Sequence, residues 1–134
     1  MANVIQQGVV LPASPDRLYQ MYLDPVIHAA MTGGPAQVGE AAGSPFSAFG
    51  GQLRGQILQT VPGRLIVQSW RSDDWKVDDL DSTLILRFSA DPEGGRIELV
   101  HVNVPDHDYE GVTEGWDTYY WTPWRAHLAP EEHA

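Results

Sequence analysis

The chain has 134 residues, 43% of them hydrophobic and 19% charged, a composition that predicts a single folded domain over residues 1–134 rather than a disordered segment. It contains no cysteine, which excludes disulfides, thiol catalysis and cysteine-based zinc or iron–sulfur centres. The net charge of −10 is lopsided: residues 73–134 carry fifteen acids against four bases, a field that repels phosphate backbones and anionic lipid headgroups, so neither nucleic acid nor a membrane is an expected partner.

The first residues, Met1-Ala2-Asn3-Val4-Ile5-Gln6-Gln7, lack a basic region followed by an apolar run, and no apolar stretch reaches spanning length. A cytoplasmic protein is the expectation. Val4 to Leu11 predicts a strand. Ser14-Pro15-Asp16 then starts a helix: Ser14 can cap it, Pro15 suits its first position, and Asp16 complements the positive end of the dipole. Asp24-Pro25 repeats that signal for a second short helix through Met31, stopped at Gly33-Gly34.

Antiparallel sheet follows. Phe46 to Phe49 and Gln52 to Val61 read as strands joined by a tight turn at Gly50-Gly51. Val61-Pro62-Gly63-Arg64 has proline and glycine where a type II turn wants them. Arg64–Arg71 and Ser82–Ala90 are further strands, separated by the acidic loop Asp73–Asp81. A turn at Asp91–Gly95 leads to a last strand, Arg96–Val104, which Pro105 ends. Residues 106–111 read as a polar loop, and Val112–Leu128 as a helix of about four to five turns. On its wheel Val112, Trp116, Tyr119 and Pro123 share one face, with Tyr120 at the margin, while Trp121 points the other way. Pro123 cannot donate to the preceding turn and its ring crowds it, so a kink and a shift of phase are expected there. The order of elements predicts an α+β domain whose curved antiparallel sheet of about six strands wraps around the last helix.

Four stretches, LPASPDRLYQMYLDP (11–25), FSAFGGQLRGQILQTVPGRLIVQSWR (46–71), STLILRFSADPEGGRIELVHVNVP (82–105) and EGWDTYYWTPWRAHL (114–128), run in an order that resembles a known family. They are similar to AHSA-type proteins, related to the C-terminal domain of the activator of the Hsp90 chaperone ATPase, within the START-like SRPBCC superfamily of helix-grip folds. The resemblance implies a cavity between sheet and C-terminal helix, often occupied by a small apolar ligand of lipid, sterol or polyketide type. It implies a chaperone as an alternative partner, although the chaperone activator carries a further N-terminal domain for which 134 residues leave no room. Relatives with this fold that act as cyclases or hydrolases would need acid–base groups inside the cavity, and His101, Arg71, Tyr119 and Tyr120 are the candidates here. Where the family has an aromatic pair after the second helix, this chain has Ala30-Met31-Thr32-Gly33-Gly34, which predicts a more open end.

The expected ligand-lining residues are therefore Phe49, Trp70, Trp116, Tyr119 and Tyr120, with His101 as a polar anchor. The aromatic residues could equally fill the core. The position of His101 depends on which face of its strand turns inward, since Ile97, Leu99 and His101 share one face and Val100, Val102 and Val104 the other, both semi-apolar. Trp121 and Trp124 look hard to bury in a monomer and predict a homodimer contact. Trp75, odd in a solvated acidic loop, could fold back over the cavity mouth. That loop lacks EF-hand spacing, and His28, His107, His127 and His133 show no zinc spacing, so neither metal nor cofactor is expected. No nucleophile elbow or phosphate-binding glycine loop is present, and no catalytic residue is assigned.

Overall fold

A computed structural model describes residues 2–129, so His133 lies outside the described residues. Six strands, β1 (Ala2–Leu11), β2 (Pro45–Ala48), β3 (Leu53–Val61), β4 (Leu65–Ser72), β5 (Ser82–Asp91) and β6 (Gly94–Pro105), form one antiparallel sheet in the order β1-β6-β5-β4-β3-β2. Helices α1 (Pro15–Leu23) and α2 (Pro25–Thr32) follow β1. The C-terminal helix is composite: α3 (Tyr109–Gly115), a π-helical turn (Trp116–Trp121) and α4 (Thr122–Leu128). The sheet curls around this helix, which is the helix-grip α+β arrangement.

Local chemistry accounts for most boundaries. The Ser14 side chain accepts from the Arg17 N–H, and the Asp24 carboxylate accepts from Val26 and Ile27, so both short helices are capped by the residue before their first proline. Gly33, at φ 83°, closes α2 in the left-handed conformation. Arg64 N–H donates to Val61 C=O with Gly63 at φ 72°, as a type II turn requires.

Three expectations need correction. The β2–β3 connection is not a two-residue hairpin turn: Ala48 pairs with Leu53, and Phe49, Gly50 and Gly51 make a 3-10 turn between them, all at positive φ. The C-terminal helix begins earlier than Val112, because residues 106–108 already turn and α3 starts at Tyr109. Most consequentially, Trp121 and Trp124 are buried within the one chain, so the ground for a dimer contact through them is gone. The cause is the π turn. Residues five apart on an α-helix are about 140° apart around the axis. The wider turn instead stacks Trp116 on Trp121, with centroids 5.6 Å apart, and Trp121 on Trp124 at 6.2 Å. The Trp121 indole N–H donates to Gln7 Oε1 on β1, and that of Trp124 reaches Met21 Sδ on α1. The phase shift expected at Pro123 thus occurs one turn earlier, as a π turn ending just before the proline.

The buried face of β6 is the one bearing Ile97, Leu99 and His101. Alternation breaks at Asn103, whose φ of 66° adds a left-handed residue and turns Val104 inward as well.

Candidate functional site

A cavity of about 370 Å³ opens between the sheet and the C-terminal helix. Its walls come from separate elements: Phe49 from the 3-10 turn, Leu53 from β3, Trp70 and Ser72 from β4, and Val112, Trp116, Tyr119 and Tyr120 from the helix. Five of the six residues expected to line it are therefore brought together. Phe49 is held there by an unusual backbone. At φ 53° it occupies the left-handed region that a bulky side chain avoids, at a cost of order 1–2 kcal/mol. Its ring meets Tyr119 and Tyr120 edge-on, with centroids 5.7 and 6.2 Å away. Gly34 makes room for it, since a Cβ there would lie 3.0 Å from Phe49 Cδ1. Phe49 thus packs against the glycine pair that follows the second helix.

Tyr119 and Tyr120 divide the roles of a tyrosine between them. Tyr120 is buried, and burial pushes its hydroxyl well above the usual tyrosine range. That hydroxyl donates to His28 Nε2 at 2.9 Å, because His28 Nδ1 must donate to the Tyr22 carbonyl at 2.7 Å. Tyr119 is 57% exposed at the cavity, contrary to its expected place on the helix's inward stripe.

His101 does not reach the cavity. It is fully buried behind Trp70 and Trp116, and burial lowers its pKa to about 3. Its partners fix one neutral tautomer. Ser82 Oγ donates to the Trp70 carbonyl and so accepts from His101 Nε2–H, at 2.8 Å, while the Trp116 indole N–H donates to His101 Nδ1 at 3.2 Å. The chain Trp116–His101–Ser82–Trp70 carbonyl is complete within the protein, and it orients two aromatic walls of the cavity rather than facing it.

The acidic loop borders the same space through Asp74, just beyond Ser72 at the end of β4. Arg71 organises it: its guanidinium donates to the carbonyls of Lys76 and Asp79, pairs with Asp81 at 2.7 Å, and lies over the Trp75 ring. Trp75 folds back against Trp70 and donates its indole N–H to Asp108 Oδ2 at 2.7 Å. His107 meets Asp79 at 2.7 Å and, as its nearest partner, holds that carboxyl below the usual range. Of the four acid–base candidates, His101, Arg71 and the Tyr120 hydroxyl therefore engage the protein itself, while the Tyr120 ring still forms cavity wall and Tyr119 stands exposed beside it. Among the described residues no group of three or more His, Asp or Glu is arranged to hold a metal ion.

Sequence reasoning missed the polar members of the rim, Gln52, Ser72, Asp74 and Asp108. It also gave His28 no role beyond the absence of zinc spacing. Its contact with Tyr120 joins residues 92 positions apart, and no local pattern carries that.

Comparison with known proteins agrees with this architecture. The human activator of 90 kDa heat shock protein ATPase homolog 1 is 28% identical over 109 residues, covering 80% of this chain and 31% of that protein. The Dictyostelium discoideum homologue is 35% identical over 75 residues, 55% of this chain and 19% of its own length. The chain thus spans about a fifth to about a third of the length of the curated relatives it matches. The crystal structure of an HSP90 activator from Plasmodium falciparum superposes with a TM-score of 0.81 at 23% identity, covering 96% of both chains. The family described as "Activator of Hsp90 ATPase homolog 1-like protein" matches residues 12–128, nearly the whole described chain with both walls of the cavity, and the chain belongs to that family.

Proposed function

We propose that the cavity between sheet and C-terminal helix receives a small, mostly apolar molecule, held by Phe49, Trp70, Trp116, Tyr119 and Tyr120. The observation that carries this reading is Tyr119: while its neighbours Trp116, Tyr120 and Trp121 are buried, it stays 57% exposed beside a Phe49 held in a disfavoured conformation. Filling a core explains the buried rings but not an aromatic edge left open at a cavity mouth. The volume, about 370 Å³, lies within the range of small-molecule pockets. Affinity would come from covering these rings, less the cost of ordering the ligand. Native mass spectrometry of the protein purified from its own host tests this. One bound small molecule per chain is expected, lost in Tyr119→Ala, whereas a clean apo mass counts against the reading.

A second reading has its own support. The relatives named above are activators of a chaperone ATPase, and the human one aligns with 80% of this chain. A partner of the Hsp90 type would then be engaged by the domain surface. The expected outcome is a rise in the chaperone's ATPase rate on adding the protein, and an unchanged rate at saturating concentration removes that partner.

A further inference from the structure

We infer that the polar anchor of the cavity is the Trp70 indole N–H, and that the molecule it takes carries an uncharged oxygen acceptor (a ketone, ester or ether) on an apolar body. This rests on the ligand-binding reading above. Trp70 is a wall of the cavity and only 5% exposed. Its Nε1 is the buried side-chain nitrogen or oxygen left without a hydrogen-bond partner among the described residues. A buried donor left unpaired carries its full desolvation penalty, so an acceptor there is worth more than an ordinary hydrogen bond gained at a surface.

The protein's own groups nearby are already engaged. Both ring nitrogens of His101 are used, by Ser82 and by the Trp116 indole. Ser82 Oγ is occupied between His101 and the Trp70 carbonyl, and the Asp108 carboxylate is turned to the Trp75 indole, whose N–H its Oδ2 accepts. Trp70 itself packs against rings, Trp75, His101 and Trp116, none of which offers a free acceptor atom to it. Paired with none of these groups, the Trp70 indole N–H is left for an acceptor that a molecule in the cavity brings. The rim decides its charge. Asp74 and Asp108 line the cavity and no basic side chain does. A carboxylate or phosphate placed there would lose its hydration facing like charges with no counter-ion in the lining, which disfavours it. A neutral carbonyl or ether meets the donor without that cost.

α-Tetralone and tetralin test this directly, because they share one fused-ring skeleton and differ in a single carbonyl. Each is titrated into the full chain while the Trp70 indole N–H resonance is followed by nitrogen–proton correlation NMR. That resonance is identified by its loss in Trp70→Phe, or by its proximity to Trp75 and His101 should that variant fail to fold. The expected result is that α-tetralone binds roughly three- to tenfold more tightly than tetralin and moves the Trp70 indole proton downfield. Tetralin leaves the proton unmoved. In Trp70→Phe the two probes bind alike, and naphthoate, the anionic analogue, binds the unaltered protein more weakly than either. Equal affinities with an unmoved indole resonance overturn the inference while leaving an apolar binding cavity in place. No measurable binding of either probe overturns both this inference and the ligand-binding reading.

Discussion

His28 and His101 are both fully buried, both neutral and both tied by each ring nitrogen to a fixed partner. Burial is the leading cause that lowers each ring's pKa below the ordinary histidine value of 6.5, to about 3 for His101. Unfolding returns both rings to water, where they protonate near pH 6.5. The unfolded chain therefore binds more protons than the folded one below that pH, and stability falls as pH falls. The loss begins near pH 6.5 and, for His101, continues towards pH 3. Each ring contributes a slope of up to about 1.4 kcal/mol per pH unit. Urea denaturation at pH 8, 7, 6 and 5 in moderate salt is expected to show stability nearly flat above pH 7 and falling steeply below 6. A slope shallower than one ring's worth would mean that the rings charge inside the folded protein, which burial and the donors aimed at their bare nitrogens, the Tyr120 hydroxyl on His28 and the Trp116 indole N–H on His101, oppose. The same reasoning separates a structural histidine from a functional one. A catalytic or anchoring ring would have a free nitrogen at the cavity, and His101 has none.

Among the elements, the sheet edge that carries Phe49 depends on a close approach between two strands. Gly55 on β3 pairs with Phe46 on β2, and an added Cβ would fall 1.9 Å from the Ser69 carbonyl oxygen on β4. Backbone cannot yield as a flexible side chain can, so Gly55→Ala has to push β3 away from β4 and take β2 and the Phe49 turn with it. Gly8 on β1 is the matching control, because the nearest atom to its added Cβ is Arg96 Nη1, at 3.6 Å, the mobile end of a side chain. Thermal unfolding should show Gly55→Ala lowered by about 4–12 °C and Gly8→Ala within about 2 °C of the parent. Equal midpoints for the two variants would refute the close approach. Elements defined by local chemistry were legible in the sequence for this reason: Ser14-Pro15, Asp24-Pro25 and Pro62-Gly63 act within four residues, and the structure uses them as read. The π turn was not legible, because what stabilises it is the burial of Trp121 against Trp116 and Gln7, and Gln7 lies 114 positions away. The inward face of β6 was left open by two semi-apolar stripes, and only the curl of the sheet chooses between them. In the site, Trp70 from β4 and Trp116 and Tyr120 from the helix meet at one cavity, as the order of elements suggested. Tyr119 was expected inside because the wheel assumed an unbroken α-helix, and His101 was expected at the cavity because sequence cannot rank which buried side chain stands in front of another.

For the molecule as a whole, charge works against compactness. The net charge is −10, with fifteen of the 18 acids after residue 72. The ion pairs that could offset this among the described residues are Arg71–Asp81, Arg96–Asp91 and His107–Asp79, all at least partly exposed. Pairs of that kind contribute about 0–1 kcal/mol and are themselves weakened by salt. Repulsion among the many unpaired acids acts over longer distances, and it is the larger sum when the screening length is about 30 Å at 0.01 M salt. Shortening that length to about 8 Å, at 0.15 M, removes most of the repulsion while costing three weak pairs. The urea midpoint at pH 7.5, where both buried histidines are neutral in either state, is therefore expected to rise with sodium chloride, by a stability increment on the order of 1 kcal/mol. Sodium chloride suits the test because, unlike sulfate, it does little to strengthen apolar burial. A fall in the midpoint would reverse the ranking and mean that the Arg71 network, which pins the acidic loop beside the cavity, outweighs the repulsion of the whole surface. The two electrostatic effects also separate by pH. In low salt, acidification from pH 7 to 5 relieves repulsion as carboxylates begin to protonate, which opposes the histidine loss. In 0.15 M salt that relief is already spent, and the fall in stability below pH 6.5 should be steeper.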